Sequence, residues 1–268
     1  MSFLRVREEK STFAQKVCVG RVGKLMRQTA MIGPGARVGV AVSGGVDSFV
    51  LLNVLRLRQR IVPFRFDLLA LHVNPGFDPA SHAPLADWCA GKGLALHAET
   101  TDHGPRAHSP ENRKASACFY CAMLRRTRLF QLCEAYGLTH LAMGHNADDL
   151  AATFFMNVFQ TGRVQGLSPR EPFFQGRLVM IRPILTVEKD HIKRAARQWG
   201  LPIWSNPCPS AGATRRSDFE DWLKEMYARD KRYRANVFGA LTRWQVPEGP
   251  ADGAPRAAGR EPDHSGEA

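Results

Sequence analysis

The stretch from Val38 to Ser48 constrains this chain more than any other. Val38-Gly39-Val40-Ala41-Val42 is a short apolar run, and Ser43-Gly44-Gly45-Val46-Asp47-Ser48 follows at once, leading into a Leu- and Val-rich segment over 48–57. An apolar strand that turns on glycines into a helix opens a βαβ unit, and such units build parallel sheets. The pattern recurs. Apolar strands are predicted at 67–73, 94–99, 139–143 and 178–182, alternating with helices at 85–91, 119–136, 147–159 and 187–199. The expectation is an α/β fold, a doubly wound parallel sheet, because right-handed crossovers place helices on both faces. Ligands of such sheets sit outside the carboxyl ends of the strands. Three motifs fall there.

Around this unit the chain reads simply. Residues 12–31 form an amphipathic helix with Ala14, Cys18, Val22 and Leu25 on one face and Lys16, Lys24 and Arg27 opposite. Residues 100–117 and 160–176 carry no periodicity and read as loops. Ser217-Asp218-Phe219-Glu220 reads as a capping box opening one last helix, with Phe219, Trp222, Leu223 and Met226 inward. From residue 245 on, Gly, Pro, Ala and charge dominate, and disorder is expected. Four parts follow: a basic N-terminal helical segment (1–35), the α/β domain that carries the three motifs (36–210), a helical extension (211–244) and a disordered tail (245–268). No apolar run approaches the ~20 residues of a membrane helix, and residues 1–10 lack a signal-peptide core. Six cysteines are too few for a disulfide scaffold in a chain of 268 residues. A cytoplasmic protein with no membrane partner is expected.

Paired glycines at Gly44 and Gly45 let backbone N–H groups approach an anion, and a helix N-terminus adds its dipole. Ser43 and Ser48 add hydroxyl donors. Asp47 is unusual in an anion cradle unless a metal cation bridges it to phosphate. The string is neither a Walker loop nor a dinucleotide fingerprint, since it lacks Gly-Lys-Ser/Thr and a third glycine. Gly144-His145-Asn146-Ala147-Asp148-Asp149 follows another strand and starts another helix. Its carboxylates suit a helix N-terminus, and equally suit metal binding or proton transfer.

Cys118-Phe119-Tyr120-Cys121 sits where a loop becomes a helix, and Cys208 lies on a proline-bracketed loop. Spacing alone leaves an iron–sulfur cluster, zinc and a redox dithiol open. Cys18, Cys89 and Cys133 fall on apolar helix positions and read as packing residues. Arg125, Arg126 and Arg128 follow the cysteine pair; Arg125 and Arg126 project toward the helix's apolar side, where they suit a phosphate or an RNA backbone. The formal net charge is +12, and the tail from 245 contributes −3, leaving +15 on the rest. Such a charge points to a polyanionic partner.

Taken in order, the phosphate loop, Cys118-Phe119-Tyr120-Cys121-Ala122-Met123-Leu124-Arg125-Arg126, the Gly144–Asp149 string and the lone Cys208 resemble the iron–sulfur tRNA thiolation enzymes of the PP-loop pyrophosphatase superfamily. Within them the chain is most similar to the tRNA 2-thiocytidine synthetase family, over residues 12–242. The resemblance implies an adenine nucleotide alpha hydrolase-like, Rossmann-like fold. It implies an ATP-dependent sulfurtransferase that adenylates a tRNA base, cytidine at position 32, and replaces its 2-oxygen with sulfur. ATP would lie on Ala41, Ser43, Gly44, Gly45, Val46, Asp47 and Ser48, with His72, Val73, Gly144 and His145 about the adenine. Mg²⁺ would sit near Asp47. Cys118, Cys121 and Cys208 would hold a [4Fe–4S] cluster. Asp47, Arg125 and Asp149 or Asp148 would be catalytic, and Lys16, Lys24, Arg27, Arg126 and Arg128 would bind tRNA. The partners implied are tRNA, a sulfur donor (a desulfurase or sulfide) and a second copy in a homodimer.

Three departures stand out. Val46 occupies a position where many relatives carry Lys. Asn146 stands where the 2-thiocytidine group commonly has His. Cys208 is followed by Pro-Ser-Ala rather than a second Cys-x-x-Cys. The last two lean toward 2-thiouridine synthetases. Two other classes compete. A lysidine-synthetase-like ligase would share the loop and the tRNA but needs no cysteines, so a colourless protein would favour it. A non-catalytic cluster-bearing or RNA-binding protein would be excluded by ATP-to-AMP turnover.

The charge makes a direct prediction. Anisotropy titrations should show tRNA affinity falling steeply with salt, each lost Lys or Arg contact lowering the log–log slope by about one unit. Deleting 247–268 should leave affinity unchanged or slightly raised. A weakened complex would contradict the assignment of that acidic tail.

Overall fold

The computed structural model describes residues 11–113, 116–205, 207–210 and 215–246. Six strands, β1 (Arg37–Ala41), β2 (Asp67–Asn74), β3 (Ala95–Thr100), β4 (His140–Ala142), β5 (Arg170–Phe173) and β6 (Leu178–Ile181), form one sheet in the order β3-β2-β1-β4-β6-β5. The helices are α1 (Phe13–Gln28), α2 (Val46–Arg58), α3 (Ala83–Lys92), α4 (His103–Ala107), α5 (Ala117–Ala135), α6 (Ala147–Thr161), α7 (Lys189–Gln198), α8 (Arg215–Arg229) and α9 (Lys231–Gln245).

Five strands run parallel, with Val38 between Leu68 and His140. The chain leaves β1 toward β2 and β3, then returns to lay β4 on the other side of β1. That reversal is the crevice where such sheets bind ligands. Strands buried on both faces read as continuous apolar runs, which is why β1, β2, β4 and β6 stand where the apolar pattern puts them.

Side-chain alternation splits the core in two. Val38, Val40, Leu68, Ala70 and Ile181 face the layer of α1, α2, α3, α6 and α7. Leu71, Val73, Leu141, Leu178 and Met180 face α5, which brings Leu129, Leu132 and Cys133. The N-terminal helix shares the first core. Thr12 caps it with Gln15 as a capping box, and Cys18 and Val22 are fully buried. Leu223, Leu241 and Val246 extend the same core to α8 and α9.

Three sequence expectations need correction. The stretch 160–176 contains β5, which pairs antiparallel with β6. Its Arg-Glu-Pro-Phe sequence hides it, because an edge strand needs neither apolar continuity nor the N–H of Pro172. Phe173 and Phe174 secure it with ring centroids 5.1 and 5.4 Å from Phe130. The stretch 100–117 is not all loop, since α4 forms within it and Ser116 caps α5 through the Phe119 N–H. The C-terminal part holds two helices. Helix α8 is already under way at Arg215, so Ser217 lies inside it, and Glu220 pairs with Arg216 instead of closing a capping box. Asp230 ends that helix and caps α9 through the Arg232 N–H. Disorder was expected from 245, but Gln245 ends α9 and Val246 is buried; the rest of that stretch, 247–268, lies outside the described residues.

Candidate active site

The phosphate loop is built at the end of β1. No side chain caps the N-terminus of α2, whose N-cap is Gly45, so its first-turn N–H groups are left for an anion. The loop braces itself: Ser43 N–H donates to Ser48 Oγ (3.1 Å), and Ser48 Oγ donates to the Gly45 carbonyl (2.8 Å). Gly44 adopts φ +92°, a region that favours glycine. A Cβ there would also stand 2.4 Å from the Trp204 ring. The Trp204 N–H donates to the Gly44 carbonyl at 3.1 Å, so the segment leading to Cys208 lies directly over the loop.

The second motif meets the first across the β1–β4 crevice. A Cβ on Gly144 would stand 3.2 Å from the Ser48 nitrogen, so a side chain there would press the two loops apart by a few tenths of an ångström. Asn146, 0% exposed, caps α6 by accepting from the Asp148 and Asp149 N–H groups. Its Nδ2 donates to Asp47 Oδ1 at 3.0 Å. Lys189 Nζ donates to Asp47 Oδ2. Burial pushes the Asp47 carboxyl above its ordinary range, against the pull of Lys189. The two carboxylates after Asn146 diverge. Asp149 accepts from the Asn146 N–H and pairs with Arg216. Asp148 accepts from the Lys189 N–H (2.8 Å) and pairs with Arg234 (3.2 Å).

A cavity of about 550 Å³ opens here, lined by Ser43, Asp47, Ser48, Arg125, Arg126, Asp149 and Arg216 among others. Its charges are mixed, four arginines against the carboxylates of Asp47, Asp149 and Glu171. Arg182, 6% exposed, forms one wall, held by the Ser168 carbonyl (2.6 Å) and Glu171 (3.0 Å). Its Nε donates to His145 Nδ1 at 3.3 Å. Burial, with Arg182, Arg216 and Arg126 nearby, pushes the His145 imidazolium down to about 3, so the ring is neutral at physiological pH.

The thiols adjoin this cavity. Cys118 and Cys121 occupy the start of α5, one turn before the cavity-lining Ala122, Arg125 and Arg126. Cys118 Sγ points at the Ser210 carbonyl, 3.6 Å away. Cys121 lies within electrostatic range of both Cys118 and Cys208, and burial raises its thiol. All three are half-buried, whereas Cys18, Cys89 and Cys133 are buried in apolar surroundings that push them up to about 12, 11 and 12. Among the described residues no three metal-ligating side chains converge tightly enough for a single ion. Three neighbouring thiols without a fourth ligand fit a larger group, whose corners spread its ligands apart, better than structural zinc, which takes four.

The structure gathers half of the sequence-predicted residues about one cavity. Ala41, Ser43, Gly45, Asp47, Ser48, Val73, Gly144, His145, Arg125, Arg126 and Asp149 all line the cavity. Others it does not bring in. His72, 1% exposed, sits on the opposite sheet face from Leu71 and Val73, bonding the Val42 carbonyl at 2.8 Å. Strand alternation forces that placement. Gly44 faces Trp204, and Val46 packs on the core. Arg128 turns away to grip Glu99 with two bonds of 2.6 and 2.7 Å. Lys16, Lys24 and Arg27 are exposed on α1, across the sheet from α5. Lys189, Trp204 and Arg216 were not singled out from sequence, and Asn146 was noted there only as a departure. Asn146 alone had a local signal, an Asn two and three residues before paired acids at a helix start.

An uncapped helix N-terminus after β1 and an acid-bearing loop after β4, facing one cavity, define a PP-loop domain, and the family model of that description matches residues 20–218. Relatives follow. A tRNA-cytidine(32) 2-sulfurtransferase of Pelobacter propionicus is 32% identical over 223 residues, covering 82% of this chain and 83% of the relative. That of Geobacter sulfurreducens is 31% identical, covering 82% and 86%. The chain belongs to the tRNA-cytidine(32) 2-sulfurtransferase family. In fold it is similar to the U34-tRNA thiolase NcsA of Methanococcus maripaludis, solved with its [4Fe–4S] cluster, at TM-score 0.71 and 22% identity, covering 87% of this chain and 78% of that one.

The neutral His145 predicts a pH dependence. An unfolded chain protonates this ring near its ordinary 6.5, while the folded chain resists until about 3. Its contribution to stability is therefore complete above pH 6.5 and lost as pH falls from there toward 3. Denaturation midpoints of His145→Gln should decline less steeply than wild type across pH 6.5 to 4. Parallel slopes would contradict the assignment of a neutral, half-buried ring.

Proposed function

We propose that this chain is an ATP-dependent tRNA sulfurtransferase that thiolates cytidine 32. The observation that carries the reading is that one cavity is shared by an uncapped phosphate loop and the arginines that follow the cysteine pair, in a chain whose relatives bear that name. The ATP phosphates lie on the N–H groups opening α2 and on the Ser43 and Ser48 hydroxyls, with Asp47 as the Mg²⁺-side carboxylate. The base's 2-oxygen attacks the α-phosphorus, the bond to pyrophosphate breaks, and the adenylated base then exchanges AMP for sulfur. Cys118, Cys121 and Cys208 would hold the [4Fe–4S] cluster, which when bound would supply the sulfur for that exchange. A desulfurase or sulfide replenishes it.

The chain's own groups divide the remaining work. Arg125 and Arg126 face charge developing at the adenylated base, where fixed cations act most strongly. Asp149 is the working carboxylate of the acidic pair, since it borders the cavity, whereas Asp148 is turned toward α7 and α9. Neutral His145 presents an uncharged ring beside the nucleotide. Asn146 aims Asp47 as an uncharged donor.

The test is the identity of the modified nucleoside. Reconstituted protein, ATP and unmodified tRNA should yield 2-thiocytidine from position 32 by nucleoside mass spectrometry, with stoichiometric AMP. Asp47→Ala should abolish AMP formation and leave the iron content intact. 2-Thiouridine as the sole product would replace cytidine in this reading, and unthiolated tRNA with AMP turnover would point to the ligase class.

A further inference from the structure

The loop that receives the triphosphate has no cation of its own. From Ser43 to Ser48 the single charged side chain is Asp47. N–H groups and hydroxyls solvate an anion without neutralising it, and a carboxylate within the cradle opposes it. Val46, between the glycines and Asp47, is apolar and packs on the core. Some other element must deliver positive charge to the loop.

Lys189 is the cation that reaches it, through Asp47 Oδ2. Its backbone is fixed, because it begins α7 and its N–H donates to Asp148 Oδ2 at 2.8 Å. The side chain borders a second cavity of about 680 Å³, shared with Asn146 and Asp149, while Asp47 borders the first. The Lys189–Asp47 pair thus stands in the wall between them, with the ammonium at the phosphate loop. The cations that line the first cavity itself have different stations. Arg216 is engaged by Asp149, Arg182 by Glu171, and Arg125 and Arg126 come from α5 beside the thiols.

We infer that Lys189 is the phosphate-side cation of this loop, contacting the β- and γ-phosphates of ATP and stabilising pyrophosphate as it leaves. The inference rests on the ATP-using reading of the same site. It distinguishes phosphate recognition from a purely structural brace on Asp47, because only the former discriminates ATP from AMP.

Calorimetric titration of the full chain with ATP and with AMP, each with and without Mg²⁺, tests it. Lys189→Met should weaken ATP by about tenfold or more, leave AMP within about twofold, and keep the iron content of the loaded protein. Lys189→Arg should retain most ATP affinity. The double variant Val46→Lys/Lys189→Met, which places an ammonium in the loop itself, should recover a large part of what Lys189→Met lost. Should Lys189→Met fail to fold by thermal melt, Lys189→Gln carries the same comparison. Equal loss of ATP and AMP without recovery in the double variant would make Lys189 a structural brace and overturn the inference. So would unchanged ATP affinity. Wild-type protein that binds no ATP would instead overturn the reading on which the inference rests.

Discussion

The carboxamide of Asn146 is fully buried and uses both ends. Its oxygen takes the Asp148 and Asp149 N–H groups, and its nitrogen holds Asp47 at 3.0 Å. A buried amide pays heavily for any bond left unmade. The side chain therefore fixes the start of α6 and the direction of Asp47 at once. Because β1 and β4 are neighbours, this one group locks together the two loops that end them. The Gly144 approach to Ser48 depends on that lock, and so does the divergence of Asp148 and Asp149. An imidazole at this position would be a bulkier group with a titratable charge; the amide gives the same kind of reach with none.

A second link runs from the phosphate loop to the thiols. Trp204 lies over Gly44, gives its N–H to the Gly44 carbonyl, and wedges its ring between Phe49 and His72 at 5.5 and 5.7 Å. Four residues later comes Cys208. The segment that carries this cysteine is thus anchored on the Gly44 carbonyl at Trp204 and meets Cys118 through the Ser210 carbonyl. On the remaining side, α5 carries the first two cysteines and the cavity arginines on successive turns. Adenylation and sulfur transfer need a base to meet both chemistries in sequence, and the cavity that the phosphate loop lines is also lined by Ala122 and Arg125, which follow the cysteine pair on α5.

Local signals made much of this legible. Parallel strands buried on both faces announce themselves as apolar runs, and the turn chemistry of Ser43–Ser48 needs no partner to be read. The cysteine pair was legible from spacing, though spacing alone left the metal open. What failed to show were contacts made by distant segments. Lys189 meets Asp47, Arg216 meets Asp149 and Arg128 meets Glu99 only because the sheet order brings them together. Strand β5 was invisible because its stability comes from pairing with β6 and from aromatic contacts, not from composition. His72 is a different case. Alternation with Leu71 and Val73 already places it on the opposite face, a constraint that the motif-based assignment overrode.

The central claim is that the phosphate loop and the three thiols are separable parts of one reaction. The most direct measurement follows AMP and thiolated nucleoside together in Cys118→Ala and Cys208→Ala, with anaerobic reconstitution and iron analysis. The account predicts loss of iron and of thiolated product in both variants, with ATP still bound and AMP still formed on tRNA. Thiolation persisting in either variant at near wild-type rate would contradict it.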